Sequence, residues 1–406
     1  MTDGVRPIVL FDEAAAICLA AAVPVTTERV DIALAHDRVL AAPVHAMTTM
    51  PPFDRSMMDG YAIRSADQHE PGTVLRVIGE IAAGQSPVLT LQVGQAYRIM
   101  TGAPLPNGAD AVVRWEWCEE CGDDSVAILR AVEPGAAIQA TGEDAWAGDV
   151  LLPTGRRLMA TDVAVCHAFG VPDVEVARRT TVRIITTGDE LVRVPQPLQP
   201  GQIYGSNDAY LAAALLEDGA IVLQREHVAD HPARIAAAVT SALEEADYTL
   251  ITGGISAGRH DYVPTVLADV ADTVDLQNVW LRPGSPFLLA RRGAHVAFGL
   301  SGNPAACSVQ FESLVRPVIR RTLGVVDGGF ASSGILTQPL NLKPIKHTRI
   351  LRGVAHVEDG VVHVHANLGQ SAGVMASFAH ANCLIRVDHP VVAAGTIVSV
   401  RWLHPL

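Results

Sequence analysis

Two hydrophobic rhythms divide the chain. From Thr181 onward, apolar runs of strand length alternate with stretches of helical spacing. "TVRIITTG", "IVLQREHV" and "YTLITGG" are short and rich in β-branched residues, and read as strands. "NDAYLAAALLEDGA" and "HPARIAAAVTSALEEA" repeat alanine, leucine and isoleucine three and four apart, the spacing of one helix face. "HVAFGLSGN" then leads into a long helical stretch, "PAACSVQFESLVRPVIRRTLG". Alternation of this kind predicts a doubly wound, mostly parallel α/β sheet with helices on both faces.

The earlier half has a different texture. "GTVLRVIGEI", "GQAYRIM", "ADAVVRWEW" and "SVAILRAV" are short β-rich runs cut by Gly and Pro, and predict a β-rich inserted domain over 53–144. On either side, 1–52 and 145–180 carry an Ala-rich helix and the helical stretch "LMATDVAVCHAFG", and form one discontinuous linking domain. Asp12 and Glu13 are expected to cap the first helix. The α/β domain covers 181–327. Beyond the linker "VDGGFASSG", the strand candidates "GVVHVHANL", "NCLIRVD" and "TIVSVRW" make 328–406 a small C-terminal β-barrel domain. Four units suit the length, since 406 residues exceed one ordinary core.

Composition narrows the function. With a formal charge of −13, the chain lacks the positive surface that wraps a nucleic-acid backbone. The run "AAAICLAAAVPV" is preceded by Asp3, Asp12 and Glu13 against a single Arg6, so it lacks the basic start of a signal peptide. No apolar run is long enough to span a bilayer, and the expected setting is the cytoplasm, off the membrane. Among six scattered cysteines only Cys118 and Cys121, as CEEC, have a suggestive spacing. No second pair of ligands stands near them, so they read as reduced thiols rather than a zinc site.

Ligands of a doubly wound sheet bind beyond the carboxyl ends of its strands. Four glycine-bearing loops are expected there: "TTGDEL", "TGGISAGRHD", "RPGSP" and "GLSGNP". Their glycines let backbone N–H groups approach an anion closely. Asp189, Glu190 and Asp261 would project from neighbouring loops into one crevice, and carboxylates beside phosphate-binding backbone suit Mg²⁺. The alternative for each is a helix cap accepting backbone N–H groups. A second decorated region is remote in sequence: "PPFDRSMMDGYAIRSAD", where Asp59–Gly60 marks a turn into a strand. "RIMTGAPLPNGADAVV" and "GEDAWAGDVLLPTG" share its character, with Thr101 and Asp144 as their polar points.

Taken in order, "SMMDGYA", "MTGAPLPNGADAVV", "TGEDAWAGDV", "TTGDEL", "GGISAGRHDY", "RPGSPF" and "GLSGNPA" resemble the molybdopterin molybdenumtransferases, the MoeA and gephyrin E-domain family. The resemblance runs over nearly the whole chain. It implies insertion of molybdate into the dithiolene of adenylylated molybdopterin, with Mg²⁺-dependent release of AMP. It also implies a homodimer whose site joins one subunit's crevice to the other's β-insertion, with the adenylyltransferase of the pathway as a further partner. Carried over position by position, the acidic site residues are Asp59, Asp144, Glu190, Asp230 and Asp261, with Glu190 and Asp261 holding the metal. Thr101, Gly253, Gly254, Ser256, Gly258, Arg282, Ser285, Gly302, Asn303 and Pro304 fall on cofactor-binding positions. Where the family carries basic residues, this chain has Asn278 and Ser285, and Arg282 alone keeps the charge. That departure leaves a second reading open: a divergent paralogue that binds or delivers the pterin without inserting metal.

Overall fold

A computed structural model describes residues 8–256, 258, 261–325 and 327–404. Asp3, Arg6 and the first residue of the "VDGGFASSG" linker lie outside them. At its centre stands a six-stranded sheet in the order Ile221–Val228, Thr181–Thr187, Tyr248–Thr252, His295–Leu300, Pro286–Arg292, Thr273–Asn278. The first four strands are parallel, and the last two form an antiparallel extension.

Both faces are covered, and the strand sequences show why. Val182, Ile184 and Leu250 enter one core; their neighbours Ile185 and Ile251 enter the other. Successive side chains of a strand point to opposite faces, so a strand buried on both sides is apolar throughout. Helices Asn207–Glu217 and Pro304–Gln310 pack on the first face, Pro232–Glu245 and Val263–Val270 on the second. The helix from Pro304 does not stay α-helical. A π-turn over Phe311–Val315 interrupts it before Arg316–Thr322 resumes.

The first helix, Phe11–Ala20, buries Phe11, Ala14 and Cys18 in the first of these α/β cores. The expected acidic cap is absent: Leu10 is the N-cap and no side chain caps the helix. Asp12, in the first turn, instead pairs with Arg386 of the C-terminal region, accepting from its guanidinium at 2.7 and 2.8 Å. The linking core is assembled from two distant segments. Thr27–Asp31 pairs with Asp173–Ala177 and Val44–His45 with Val150–Leu152, around Ile32, Leu40, Leu158 and Cys166.

Between those segments the inserted domain folds as a six-stranded sheet with Gly60–Ile63 second in order. At the other end, Thr348–Glu358, Val361–Ala366, Ser332–Leu336, Ile397–Trp402 and Cys383–Val387 pair in sequence. A last pairing between Cys383–Val387 and Thr348–Glu358 closes them into a five-stranded barrel. Closure removes the edges that an open sheet of this size would expose.

Candidate active site

Strand order reverses between Thr181–Thr187 and Tyr248–Thr252, so the loops leaving these strands diverge and open a crevice. A cleft of about 620 Å³ lies there. Its floor is backbone. Gly253 has φ +93° and a Cβ on it would stand 2.5 Å from the Thr187 carbonyl oxygen. A Cβ on Gly302 would press on Gly253 at 3.3 Å. Only glycine permits the left-handed conformation at 253, and only the absence of side chains lets three loops meet so closely.

Two polar side chains tie these loops from below. Asn207 Nδ2 donates to Thr252 Oγ1 at 2.7 Å and to the Gly302 carbonyl at 2.9 Å. Gln310, fully buried, accepts from Ser301 N–H at 2.7 Å and donates to the Gly284 carbonyl at 2.8 Å. The latter bond reaches the "RPGSP" loop. As expected, that loop leaves a strand's carboxyl end: it follows Thr273–Asn278, which runs with the parallel strands, and leads into Pro286–Arg292, which runs antiparallel. An antiparallel strand starts at the edge where its parallel neighbours finish, so Gly284 and Pro286 line the cleft. Neither Asn207 nor Gln310 was singled out by sequence.

Glu190, Asp230 and Asp261 all border this cleft, as do Gly253, Gly254, Ser256, Gly302, Asn303 and Pro304. Glu190 is exposed and its carboxylate hangs over Gly188, where a Cβ would meet Oε2 at 2.7 Å. Asp261 is half-buried; its Oδ2 accepts the Gly258 N–H at 2.7 Å. Asp189 accepts the Asp230 N–H at 3.2 Å, so it serves as a backbone cap. Thr187 Oγ1 is buried in the cleft wall and has no partner among the described residues. A buried hydroxyl in that state is suited to bind a polar ligand atom.

Among the described residues no three of the His, Cys, Asp and Glu side chains form a ready-made metal cage. Mg²⁺ fits the set nevertheless. Oxygen donors at the cleft edge can take part of its sphere, and it characteristically keeps waters and substrate phosphate oxygens for the rest. Cys118 and Cys121 donate to the carbonyls of Arg114 and Glu119, and burial pushes the Cys118 thiol up to about 12.

Asp59, Thr101, Asp144, Gly258, Arg282 and Ser285 stand apart from the cleft lining. Asp59 accepts both N–H and Oγ1–H of Thr101, at 2.7 and 2.8 Å, on the surface of the inserted domain. Those bonds hold its carboxyl below the ordinary range. Asp144 is exposed where the inserted and linking regions meet, its N–H bound to the Met50 carbonyl at 3.1 Å. A matching pair, missed in sequence, lies beside it: Asp54 accepts N–H and Oγ1–H of Thr141 at 2.7 and 2.8 Å. Ser285 turns its hydroxyl to the Val279 carbonyl at 2.9 Å.

Arg282 is exposed at the junction with the barrel, where Leu281–Arg282 pairs with Thr348–Arg349. The neighbouring segment carries both lysines of the chain, Lys343 and Lys346. Lys346 Nζ sits 5.1 Å from the Trp280 ring and His347 meets that ring edge-on at 4.8 Å. Burial, then the charges of Arg282 and Arg349, push the His347 imidazole down. Lys346, His347 and Arg349 thus gather at this junction beside Arg282.

Comparison with known proteins accounts for this architecture. The chain matches the MoeA N-terminal region (domain I and II) over residues 9–170, a probable molybdopterin binding domain over 183–321 and the MoeA C-terminal region (domain IV) over 333–403. It belongs to the MoeA family. A molybdopterin molybdenumtransferase of Nostoc is 37% identical over 396 residues, covering 93% of this chain and 89% of that one. The Bacillus subtilis protein of the same name is 37% identical over 357 residues, covering 86% and 83%. A molybdopterin biosynthesis MoeA protein of Pyrococcus horikoshii superposes with a TM-score of 0.84 at 27% identity, over 98% of this chain and 100% of that one. Among the described residues no helix is long and apolar enough to cross a membrane.

Proposed function

We propose that the chain inserts molybdate into adenylylated molybdopterin, with Mg²⁺-dependent release of AMP. Membership of the MoeA family makes it a transferase of molybdenum cofactor biosynthesis. The observation that carries the finer reading is the meeting of Glu190, Asp230 and Asp261 with four glycine-bearing loops in one cleft of about 620 Å³.

The chemistry asks for positioning more than for a nucleophile. The substrate's dithiolene sulfurs take the metal, and the phosphoanhydride to AMP is cut by water. The protein's contribution is therefore orientation and charge compensation. Backbone of Gly253, Gly254 and Gly302 approaches the phosphates, and Thr187 Oγ1 offers a hydroxyl from the cleft wall. Glu190 and Asp261 would hold Mg²⁺, which neutralises phosphate charge when bound. Arg282, with Lys346 nearby, would offer the oxyanion a basic approach.

The same reading assigns Asp59, Thr101 and Asp144 to the cleft of a second copy in a homodimer. Their surroundings support it: Phe53, Met57 and Trp146 are 44%, 54% and 56% exposed around these motifs. Apolar side chains on the rim of a polar motif are suited to burial against a partner. The pathway's adenylyltransferase, which would deliver the adenylylated pterin, is the expected further partner.

The test is molybdate-dependent AMP release from adenylylated molybdopterin in the presence of Mg²⁺. Absence of release by the folded dimer would overturn the reading. Pterin binding without turnover would establish the delivery role that Asn278 and Ser285 suggest instead.

A further inference from the structure

The two helices that open onto the cleft converge behind it on one buried cluster of charge. Helix Asn207–Glu217 enters the cleft with Asn207 and reaches the cluster with Tyr210 and Glu217, followed by Asp218. The helix beginning at Pro304 enters with Asn303–Pro304 and reaches the cluster with Glu312, Arg316 and Arg320.

The bonds are specific. Arg316 donates to Asp218 at 2.7 Å, Glu312 at 2.8 Å and Glu217 at 2.7 Å, one nitrogen to each. Arg320 links Asp218 at 2.9 Å to Asp327 at 3.0 Å. Tyr210 OH donates to Glu312 Oε1 at 2.8 Å. From the barrel strand Ile397–Trp402, Arg401 reaches across to Glu312 Oε2 at 3.2 Å and holds Asp327 at 2.6 and 3.0 Å. The side chains of Glu312 and Arg401 are 2% and 4% exposed.

Burial on that scale makes a charge pair a poor source of net stability, because desolvation offsets most of the attraction. Its geometric constraint survives that cancellation. Side chains two apart on a helix point to nearly opposite faces. Gln310 therefore reaches the "GLSGNP" and "RPGSP" loops, while Glu312, in the π-turn that follows, reaches the cluster. Gln310 directly precedes this turn, so the residue that binds the two loops and the residue that binds the cluster lie two positions apart. The barrel also touches the cleft: Ala372 lines it, and its carbonyl accepts Ala305 N–H at 3.0 Å.

We propose that Glu312 and Arg401 are positioning residues of the cleft, joining barrel and π-turn so that Gln310 holds the Ser301 and Gly284 loops in register. Asp327 is part of the same link. Burial would raise its carboxyl, but the Arg401 hydrogen bonds and the Arg401 and Arg320 charges hold it at about 2.

A double variant, Glu312→Met with Arg401→Met, removes one charge of each sign and keeps side-chain volume. Replacing a buried pair by apolar side chains of similar volume is often tolerated, but Tyr210, Arg316 and Asp327 each lose a partner here. The expectation is a folded variant with a lowered thermal midpoint in which amide exchange at Gly253, Ser301 and Gly302 rises at least about tenfold more than that of the core parallel strands, since loop opening becomes easier. KM for the pterin substrate should rise about fivefold or more with kcat little changed. The conservative variant Arg401→Lys, which keeps the charge, should give exchange between the two and serves if the double variant does not fold. Wild-type exchange in a folded variant would overturn the proposal. Exchange is read without substrate, so absence of turnover in the wild type would refute the proposed reaction and leave this one decided by exchange alone.

Discussion

The α/β cleft and the decorated face of the inserted domain both present carboxylates on turns, yet they order those turns by different means. In the cleft, backbone packs on backbone: Gly253 lies against Thr187 and Gly302 against Gly253, with Asn207 and Gln310 tying the loops beneath. On the inserted face, side chain binds backbone: Asp59 clasps Thr101 and Asp54 clasps Thr141, each joining segments distant in sequence. The first device makes a concave site that can surround a ligand. The second orders turns on an exposed face, which acts on a ligand only where another surface faces it. A carboxylate in the cleft is therefore a candidate for direct chemistry, whereas Asp59 also has a local structural task.

The largest effect should come from the cleft carboxylates. Glu190→Ala with Asp261→Ala should keep the fold, since both lie at solvent-facing loop positions, while AMP release falls by about 10²–10³-fold. Turnover surviving the double change would move the metal site elsewhere. Next is Gly253→Ala. Its φ of +93° and the carbonyl at 2.5 Å leave no room for a methyl group. Backbone strain of about 1–3 kcal/mol is expected in a denaturant titration, and displaced loops should cost about 100-fold in turnover. An unaffected enzyme would show that the close approach is incidental.

The comparison is sharpened by mixing two inactive proteins. Asp59→Ala and Asp261→Ala subunits, unfolded and refolded together in equal amounts, should regain about a quarter of wild-type turnover. Half the dimers are then mixed, and each has one of two sites intact. No recovery from a verified mixed dimer would mean that the two faces do not share a site.

The smallest effect concerns acid. Thr101 and Thr141 lower the Asp59 and Asp54 carboxyls from an ordinary value of 3.8. A lowered folded-state value gives stability that is complete above the unfolded value and disappears as pH falls below it. The midpoint of thermal unfolding should therefore decline below about pH 4, less steeply in Asp54→Asn and Asp59→Asn. Equal slopes in wild type and variants would show that these clasps hold no stability.

Much of this was legible in one dimension. Apolar runs such as "YTLIT", buried on both faces, announce a covered parallel strand because no alternation is required of them. The glycine loops announce close backbone approach because a side chain would obstruct it. Other features left little local mark. The eleven-residue strand Thr348–Glu358 was not anticipated from "TRILRGVAHVE". The Asp54–Thr141 clasp spans 87 positions, and neither residue type identifies its partner.

The order of apolar and glycine-bearing segments by itself determined a doubly wound sheet, an inserted β domain and a set of close-packed glycine loops, because backbone propensity and burial are read locally along the chain. Tertiary structure decided which charges meet. Arg401 reaches Glu312, and Arg282 gains Lys346 and Arg349 as neighbours, only after domains pack. Electrostatic pairing depends on distance in space, and a carboxylate or guanidinium carries no sequence signal of the partner that folding will bring to it.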